Sequence, residues 1–345
     1  MASSWKEALT AAGIAIGGYV AYRAVMAQSR RYDFRNRVVV ITGGSRGLGL
    51  VIARQLAAEG ALLAICAREE SEVNNAAAEL RARGGRVFSY ICDITKPDEL
   101  SNFLTDASYE LGPIDVLINV AGVIQVGPFE TQTEADYEEA LNVHFWAPLR
   151  AMEQVLPEMC ARGEGRIVNI SSIGGRIGVP HLAPYCASKF ALNGLSQALR
   201  AELSRYGVYI TTVCPGLMRT GSPRHAWFKG QHRKEYAWFS ISDAMPGLSV
   251  SAETAARQVI NACRYGRAML IISVPAKFGV VLNTFAPELT ADLAGLAARL
   301  LPGPGGVGAT AVEGSGSTSA WSPSPLTILN ERAAAANNQL CDGAA

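Results

Sequence analysis

The chain has 345 residues, of which 49% are apolar and 18% are charged, and its formal net charge is +1. This length and composition allow one large core, and the near-neutral charge gives no electrostatic case for nucleic-acid binding. Seven scattered cysteines lack C-x-x-C spacing, and four histidines lack partners at metal-ligand spacing. We therefore expect reduced thiols in a reducing compartment and a reaction that needs no metal.

The first segment of the chain, residues 1–34, is predicted to be an apolar helix. Its uncharged stretch from Ala8 to Tyr22 is shorter than the roughly 20 residues that span a bilayer, but a snorkelling Arg23 extends it. Four arginines follow before the first strand, so the positive-inside rule predicts a membrane anchor at residues 8–27 with the catalytic domain facing the cytosol. The alternatives are a helix packed on the fold or on a second subunit of a cytoplasmic protein, and a signal peptide.

Seven strands are predicted along the chain, with helices between them. This alternation predicts an α/β fold, a doubly wound parallel sheet of the Rossmann type with helices on both faces. In such a sheet the ligand sites gather at the carboxyl ends of the strands. The predicted strands are Val38–Thr42, Leu62–Ala67, Arg86–Cys92, Val116–Val120, Arg166–Ser171, Tyr209–Cys214 and Met269–Ser273.

A glycine-rich turn follows the first predicted strand. Gly43, Gly47 and Gly49 have G-x-x-x-G-x-G spacing, and a helical segment begins at Leu50. A backbone without Cβ atoms can approach a pyrophosphate closely, and the N–H groups at a helix start favour negative charge. The turn therefore indicates a dinucleotide site, and the alternative is a purely structural tight turn.

A tyrosine and a lysine stand four residues apart on a predicted helix. Tyr185 and Lys189 project from the same face, and an adjacent ammonium favours the phenolate of a side chain whose free pKa is about 10. The pair therefore indicates a general acid and base. Because this spacing often arises by chance, a solvated helix face is the alternative. The strand upstream ends in the hydroxyls of Ser171 and Ser172.

Together these segments resemble the short-chain dehydrogenase/reductase family over about residues 35–275, the predicted catalytic domain. The segment Asn119–Gly122 is similar to the family's N-N-A-G turn, with Val120 in place of the second asparagine. Pro215-Gly216 with Thr220 matches the segment that lines the nicotinamide. The combination of motifs in this order is specific to the family.

The resemblance implies hydride transfer between a nicotinamide and a carbonyl or secondary alcohol. Tyr185 would exchange a proton with the substrate oxygen, and Ser172 would hydrogen-bond that oxygen. Lys189 would hold the cofactor ribose and lower the pKa of the tyrosine, while Asn142 would maintain a water-mediated proton path behind the lysine. The family places its serine thirteen residues before the tyrosine, which favours Ser172 over Ser171.

The resemblance also implies a set of cofactor-binding residues at the glycine turn, at the ends of later strands and on the catalytic helix. Among them, the acidic residue after the third strand would lie near the adenine. The set is Gly43, Ser45, Arg46, Gly47, Leu48, Gly49, Arg68, Asp93, Ile94, Asn119, Ala121, Gly122, Tyr185, Lys189, Pro215, Gly216 and Thr220.

Charge near the second strand predicts NADP(H) as the cofactor. An acidic residue at the end of this strand would bind the ribose hydroxyls of NAD, whereas an arginine would pair with the 2′-phosphate of NADP. Arg68 follows the strand, and Arg46 in the glycine turn is a second candidate ligand. The alternative is that Arg68 pairs with Glu69 and Glu70 while Arg46 points to solvent.

Three segments follow the catalytic motifs. Residues 217–248 correspond to the family's variable substrate loop, and their aromatic and basic residues suit a large apolar substrate with an anionic end or a membrane surface. The alternative is that these aromatics pack the loop onto the core. Residues 276–301 predict a helical extension interrupted by Pro287. Residues 302–345 predict a flexible tail, since they are rich in Gly, Ser and Pro, with a short helix within 326–340.

The sequence thus predicts an NADP-dependent oxidoreductase that interconverts a lipophilic ketone and a secondary alcohol in lipid metabolism. By family habit we expect a homo-oligomer. A soluble 3-oxoacyl-type reductase is the alternative within the enzyme class, and a non-catalytic NADP-binding scaffold is the alternative outside it. The four filled catalytic positions favour an enzyme.

Overall fold

A seven-stranded parallel sheet forms the centre of the molecule, in a computed structural model that describes residues 2–340. Its strands are β1 (Val38–Thr42), β2 (Leu62–Ala67), β3 (Arg86–Ile91), β4 (Ile114–Asn119), β5 (Gly165–Ile170), β6 (Val208–Pro215) and β7 (Met269–Ile272). They lie in the order β3-β2-β1-β4-β5-β6-β7, and every neighbouring pair is parallel. The predicted doubly wound sheet of seven strands is confirmed.

The helices alternate with these strands along the chain. They are α1 (Ala2–Ser29), α2 (Gly47–Ala58), α3 (Glu70–Ala82), α4 (Pro97–Leu111), α5 (Glu134–Leu141), α6 (Ala147–Arg162), α7 (Ala183–Leu203), α8 (His232–Ala244), α9 (Ala252–Arg264), α10 (Val274–Phe285), α11 (Pro287–Ala298) and α12 (Ile328–Ala336). A π-helical turn, Asn142–Trp146, joins α5 to α6.

Both faces of the sheet are covered, because successive residues of its strands point to opposite sides. Val39 and Ile41 of β1 pack in one apolar layer with α2, α3 and α9. Val38 and Val40 pack in the other layer with α4, α6 and α7. This double burial accounts for the continuous apolar runs in the strands. The six cysteines in the described part of the chain are free thiols, and Cys341 lies outside the described residues.

The N-terminal helix α1 covers residues 8–27, for which the sequence predicts a membrane anchor. Between residues 2 and 340, no helix is both long and apolar enough to cross a membrane. A spanning anchor is therefore not supported. The chain that follows α1 is fixed to the fold, since the N–H of Tyr32 donates to the carbonyl oxygen of Arg264 at 2.9 Å.

Two helices, α10 and α11, follow the sheet and meet at Pro287, as the apolar pattern with its proline predicts. The segment after them differs from the expected flexible tail. Val312–Glu313 pairs antiparallel with Trp227–Phe228, which in turn pairs with Gln125–Val126. The small residues permit close packing here: a Cβ at Gly314 would collide with the carbonyl oxygen of Pro223. The predicted terminal helix is α12.

A buried ion pair fastens the substrate loop to α5. Lys229 Nζ lies 2.5 Å from Asp136 Oδ2, and the two residues are 3% and 8% exposed. The same carboxylate accepts the N–H of Thr133 at 2.6 Å as part of a capping box. Removing one charge would leave the other buried and unpaired, which is among the most destabilising changes in proteins.

We predict that Asp136→Asn lowers the free energy of unfolding by about 3 kcal/mol, because it leaves the Lys229 ammonium buried without a counter-charge. Urea denaturation at pH 7 measures this loss. Glu99→Gln is the control, since it breaks an exposed pair with Lys96 and should scarcely change the midpoint. Equal midpoints for the two variants would contradict the prediction.

Candidate active site

A cleft of about 650 Å³ opens at the carboxyl edge of the sheet. Its walls are formed by the segments that follow strands β1 to β6, by α7 and by residues 338–340. The carboxyl edge of an open parallel sheet is where ligands bind, and this volume is within the range of small-molecule sites.

The glycine turn forms one end of the cleft, and its glycines are required by close backbone contacts. Gly43 has a φ of +73°, and a Cβ there would lie 2.8 Å from the Cα of Ala121. A Cβ at Gly49 would collide with the carbonyl oxygen of Gly43. These approaches place the amino end of α2 at the cleft, with backbone N–H groups suited to a pyrophosphate. The residues present therefore fit a dinucleotide.

Ser172, Tyr185 and Lys189 meet at the other end of the cleft. Ser172 lies just after β5, and its Oγ accepts the N–H of Gly174 at 3.0 Å. The same side chain lies near the Tyr185 phenol and lowers its pKa. Lys189 Nζ donates to the carbonyl oxygen of Ile170 at 2.9 Å and lies 5.6 Å from the centre of the Tyr185 ring. One turn of α7 thus separates the phenol from the ammonium.

Burial governs the ionisation of both groups. It raises the pKa of the Tyr185 phenol, and this outweighs the effect of Ser172, which lowers it. Burial also lowers the pKa of Lys189 to about 7. Burial thus dominates the pKa of the phenol, and the expectation that Lys189 lowers that pKa stays a prediction. A phenol with a raised pKa is protonated at neutral pH and can therefore donate a proton.

His144 also lines the cleft, and the sequence analysis did not assign it to the site. Its Nε2 accepts the N–H of Val123 at 3.1 Å, and its Nδ1 lies 2.8 Å from Ser188 Oγ. The ring meets that of Tyr185 edge to face at 5.4 Å. Burial, and then the charge of Lys189, lower the pKa of His144 well below its usual value. The one signal in the sequence was its position two residues after Asn142.

Two predicted site residues do not line the cleft. Asn142 begins the π-helical turn, where its carbonyl oxygen accepts the N–H of Ala147, whereas Val143 and His144 of the same turn do line the cleft. Asn119 is buried and donates to Asn169 Oδ1 at 2.8 Å, which links β4 to β5. The other predicted cofactor residues do line it: Gly43, Ser45, Arg46, Gly47, Leu48, Gly49, Arg68, Asp93, Ile94, Ala121, Gly122, Tyr185, Lys189, Pro215, Gly216 and Thr220.

Glu72 of α3 changes the electrostatics at the adenosine end of the cleft. Its carboxylate lies 2.6 Å from Arg46 Nη1 and accepts the hydroxyl of Ser45 at 3.1 Å. Arg46 therefore does not point to solvent. Arg68 lines the same part of the cleft and is exposed.

The family model described as short chain dehydrogenase matches residues 37–227. The chain belongs to the short-chain dehydrogenase family. It is therefore an oxidoreductase that uses a nicotinamide cofactor. The predicted family is confirmed, and the matched range contains the glycine turn, Ser172, Tyr185 and Lys189.

Several short-chain dehydrogenases are similar to this chain. It is 36% identical over 185 residues to the granaticin polyketide synthase putative ketoacyl reductase 1 of Streptomyces violaceoruber, an alignment that covers 53% of this chain and 68% of the relative. It is 29% identical over 281 residues to dehydrogenase/reductase SDR family member 7B of Danio rerio, with 79% and 89% covered.

Solved structures agree with this fold. A short-chain dehydrogenase from Streptomyces avermitilis superposes with a TM-score of 0.66 at 26% identity and covers 76% of this chain and 97% of its own. Levodione reductase superposes with a TM-score of 0.59, also at 26% identity, with 70% and 97% covered.

We predict that Lys189→Met alters the pH dependence of stability. The pKa of a lysine in the unfolded chain is about 10.4, whereas the pKa of buried Lys189 is about 7. The wild-type free energy of unfolding should therefore fall relative to the variant as pH drops from about 10 to 7, by roughly 3–5 kcal/mol, and then level off. Denaturant unfolding across this range measures the difference.

Lys277→Met is the control for that experiment, because Lys277 is exposed on α10. Its difference from wild type should stay nearly constant with pH. If the difference in free energy of unfolding between wild type and Lys189→Met is also constant with pH, burial does not destabilise the charged form of Lys189.

Proposed function

We propose that this protein is an NADP(H)-dependent reductase that converts a ketone of a lipophilic substrate into a secondary alcohol. The observation that carries the proposal is that Ser172, Tyr185 and Lys189 share one cleft with the glycine turn. The ketoacyl reductase named among the relatives supports a carbonyl group as the substrate.

The substrate carbonyl oxygen fits beside the Ser172 hydroxyl and the Tyr185 phenol. When bound, the nicotinamide supplies the hydride to the carbonyl carbon. Ser172 donates a hydrogen bond to the oxygen as negative charge develops on it, and Tyr185 transfers its proton to that oxygen. Lys189, which titrates near neutrality, holds the ribose hydroxyls and favours the tyrosinate that forms.

His144 orients this group of side chains. With Nε2 accepting a backbone N–H, its Nδ1–H donates to Ser188 Oγ, and the Ser188 hydroxyl donates to the carbonyl oxygen of Tyr185 at 2.9 Å. The neutral ring therefore connects the loop after β4 to the first turn of α7, and it keeps the phenol facing Ser172.

The preference for NADP(H) is supported by Arg68, whose exposed guanidinium lines the cleft after β2. Arg46 adds a second positive charge, although Glu72 already pairs with it. The Glu72 carboxylate also favours a second candidate, NAD(H), because a carboxylate near this position can bind ribose hydroxyls and repels a 2′-phosphate. The opposing charges of Arg68 and Glu72 therefore decide whether NADP(H) or NAD(H) binds more tightly.

A lipophilic substrate is supported by the apolar wall beside Tyr185. Val123, Ile124 and Trp227 line the cleft there. Other aromatics of the substrate loop pack onto the core, as the alternative interpretation of the sequence held: Tyr236 and Phe239 are buried in one cluster with Phe228.

We predict that Tyr185→Phe reduces turnover of ketones by about 100-fold or more, since general acid catalysis contributes about 10²–10⁴. NADPH binding should remain within a few-fold of wild type, because the change removes one hydroxyl at the substrate side. The assay follows NADPH oxidation with a panel of long-chain and cyclic ketones. Equal behaviour of the variant and wild type in every assay would instead support a non-catalytic scaffold.

The cofactor preference is tested with two opposite charge changes. Arg68→Asp should weaken NADPH binding about tenfold or more and favour NADH, because it replaces a phosphate ligand with a carboxylate. Glu72→Gln should strengthen NADPH binding, since it releases Arg46 and removes the repulsion. Arg205→Asp makes the same charge change on an exposed residue away from the cleft and should have little effect. If Arg68→Asp leaves the NADPH to NADH ratio unchanged, the 2′-phosphate is bound elsewhere.

A further inference from the structure

Asn337 and Asn338 lie against the glycine turn. The N–H of Gly47 donates to the carbonyl oxygen of Asn337 at 2.9 Å. Asn338 Nδ2 donates to the carbonyl oxygens of Ser45 at 3.0 Å and Glu72 at 3.1 Å. The last described residues are thus fixed to the part of the cleft that fits a pyrophosphate.

The same terminal segment, residues 312–340, which we call the strap, is also fixed to the substrate loop. His225 Nδ1 lies 2.9 Å from Glu313 Oε1, and its Nε2 lies 3.0 Å from the carbonyl oxygen of Gln339. Arg224 pairs with Glu331 at 3.0 Å. The strap therefore joins the substrate loop to the glycine turn, and the cleft retains about 650 Å³ with the strap in place.

Gln339 is the strap residue that points to a ligand. It lines the cleft, is 4% exposed, and its buried Oε1 has no hydrogen-bond partner among the described residues. Its Nε2 lies 2.7 Å from where a Cβ of Gly47 would be, next to Thr220. Buried amide oxygens are almost always hydrogen-bonded, so an orphan at a ligand cleft indicates a partner supplied by the ligand.

We propose that Gln339 is a cofactor-binding residue and that the strap is a wall of the cofactor site. The side-chain amide is both a donor and an acceptor. Its N–H donates to the pyrophosphate at the start of α2, and its oxygen accepts from a hydroxyl of the nicotinamide ribose, on the side of Thr220. This assignment rests on the proposed function, because it requires a nicotinamide dinucleotide in the cleft.

The test compares Gln339→Met, which keeps the size of the side chain but removes both hydrogen bonds, with Gln339→Glu, which places a negative charge beside the pyrophosphate. Binding of NADPH and of 2′-AMP, which lacks a pyrophosphate, is measured by calorimetry. NADPH should bind about tenfold more weakly to Gln339→Met and more weakly still to Gln339→Glu. Binding of 2′-AMP should be unchanged in both.

Two controls accompany these variants. Gln154→Met alters a glutamine on α6 that hydrogen-bonds the carbonyl oxygen of Ser101 outside the cleft, and it should bind NADPH as wild type does. Urea midpoints show whether each variant keeps the wild-type stability.

A further variant, Glu331→Gln, tests the strap itself. It removes the charge pair with Arg224 without changing a residue that lines the cleft, and it should weaken NADPH binding modestly.

The outcomes separate this inference from the proposed function. Normal NADPH binding by both Gln339 variants would overturn the role of Gln339 and leave the proposed function standing. Tighter NADPH binding by Glu331→Gln and Gln339→Met would show that the strap occludes the site, which also overturns the inference. A wild-type protein that binds neither NADPH nor NADH would overturn both.

Discussion

The burial of β1 on both faces is the constraint on which the rest of the structure depends. Val39 and Ile41 face one helical layer while Val38 and Val40 face the other. The chain can enter and leave a strand buried in this way only at the strand's two ends. Because all strands of a parallel sheet run in the same direction, the segments that follow them all start at the carboxyl edge. The glycine turn, the loop before α7 and the segment after β6 therefore converge on one cleft.

The same dense packing determines the chemistry of the cleft. Lys189 and His144 are 3% and 1% exposed, and loss of hydration shifts both pKa values downward. Tyr185 is shifted upward for the same reason. The buried site thus favours neutral groups, as the proposed proton transfer from the phenol to a substrate oxygen requires.

Much of this arrangement was predictable, because it depends on local patterns. Apolar runs identified the seven strands, and the spacing of Tyr185 and Lys189 identified one face of α7. His144 and Glu72 were not identified, since their roles arise from contacts between separate elements. Glu72 meets Arg46 across 26 residues of chain, and no periodicity in α3 distinguishes it from a solvated glutamate.

The composition of residues 302–345 predicts a flexible tail, but composition does not reveal which surface a segment packs against. In the structure the small size of glycine and serine lets the strap lie close to the substrate loop. Ser317 and Ser322 are fully buried. Asn119 differs from its prediction in another way. Its motif is associated with cofactor binding, yet its side-chain amide donates to Asn169 on the neighbouring strand.

The strap also has a consequence for how the protein matures. Asn338 bonds Ser45 across 293 residues of chain, so the glycine turn emerges from the ribosome long before its partner. Contacts between such distant segments form late, because closing a long loop costs entropy before the contact compensates for it. The sheet can assemble during synthesis, but this wall of the proposed cofactor site is completed only after residues 337–339 have emerged from the ribosome. A chain that stops before residue 337 would contain all seven strands of the sheet and lack that wall.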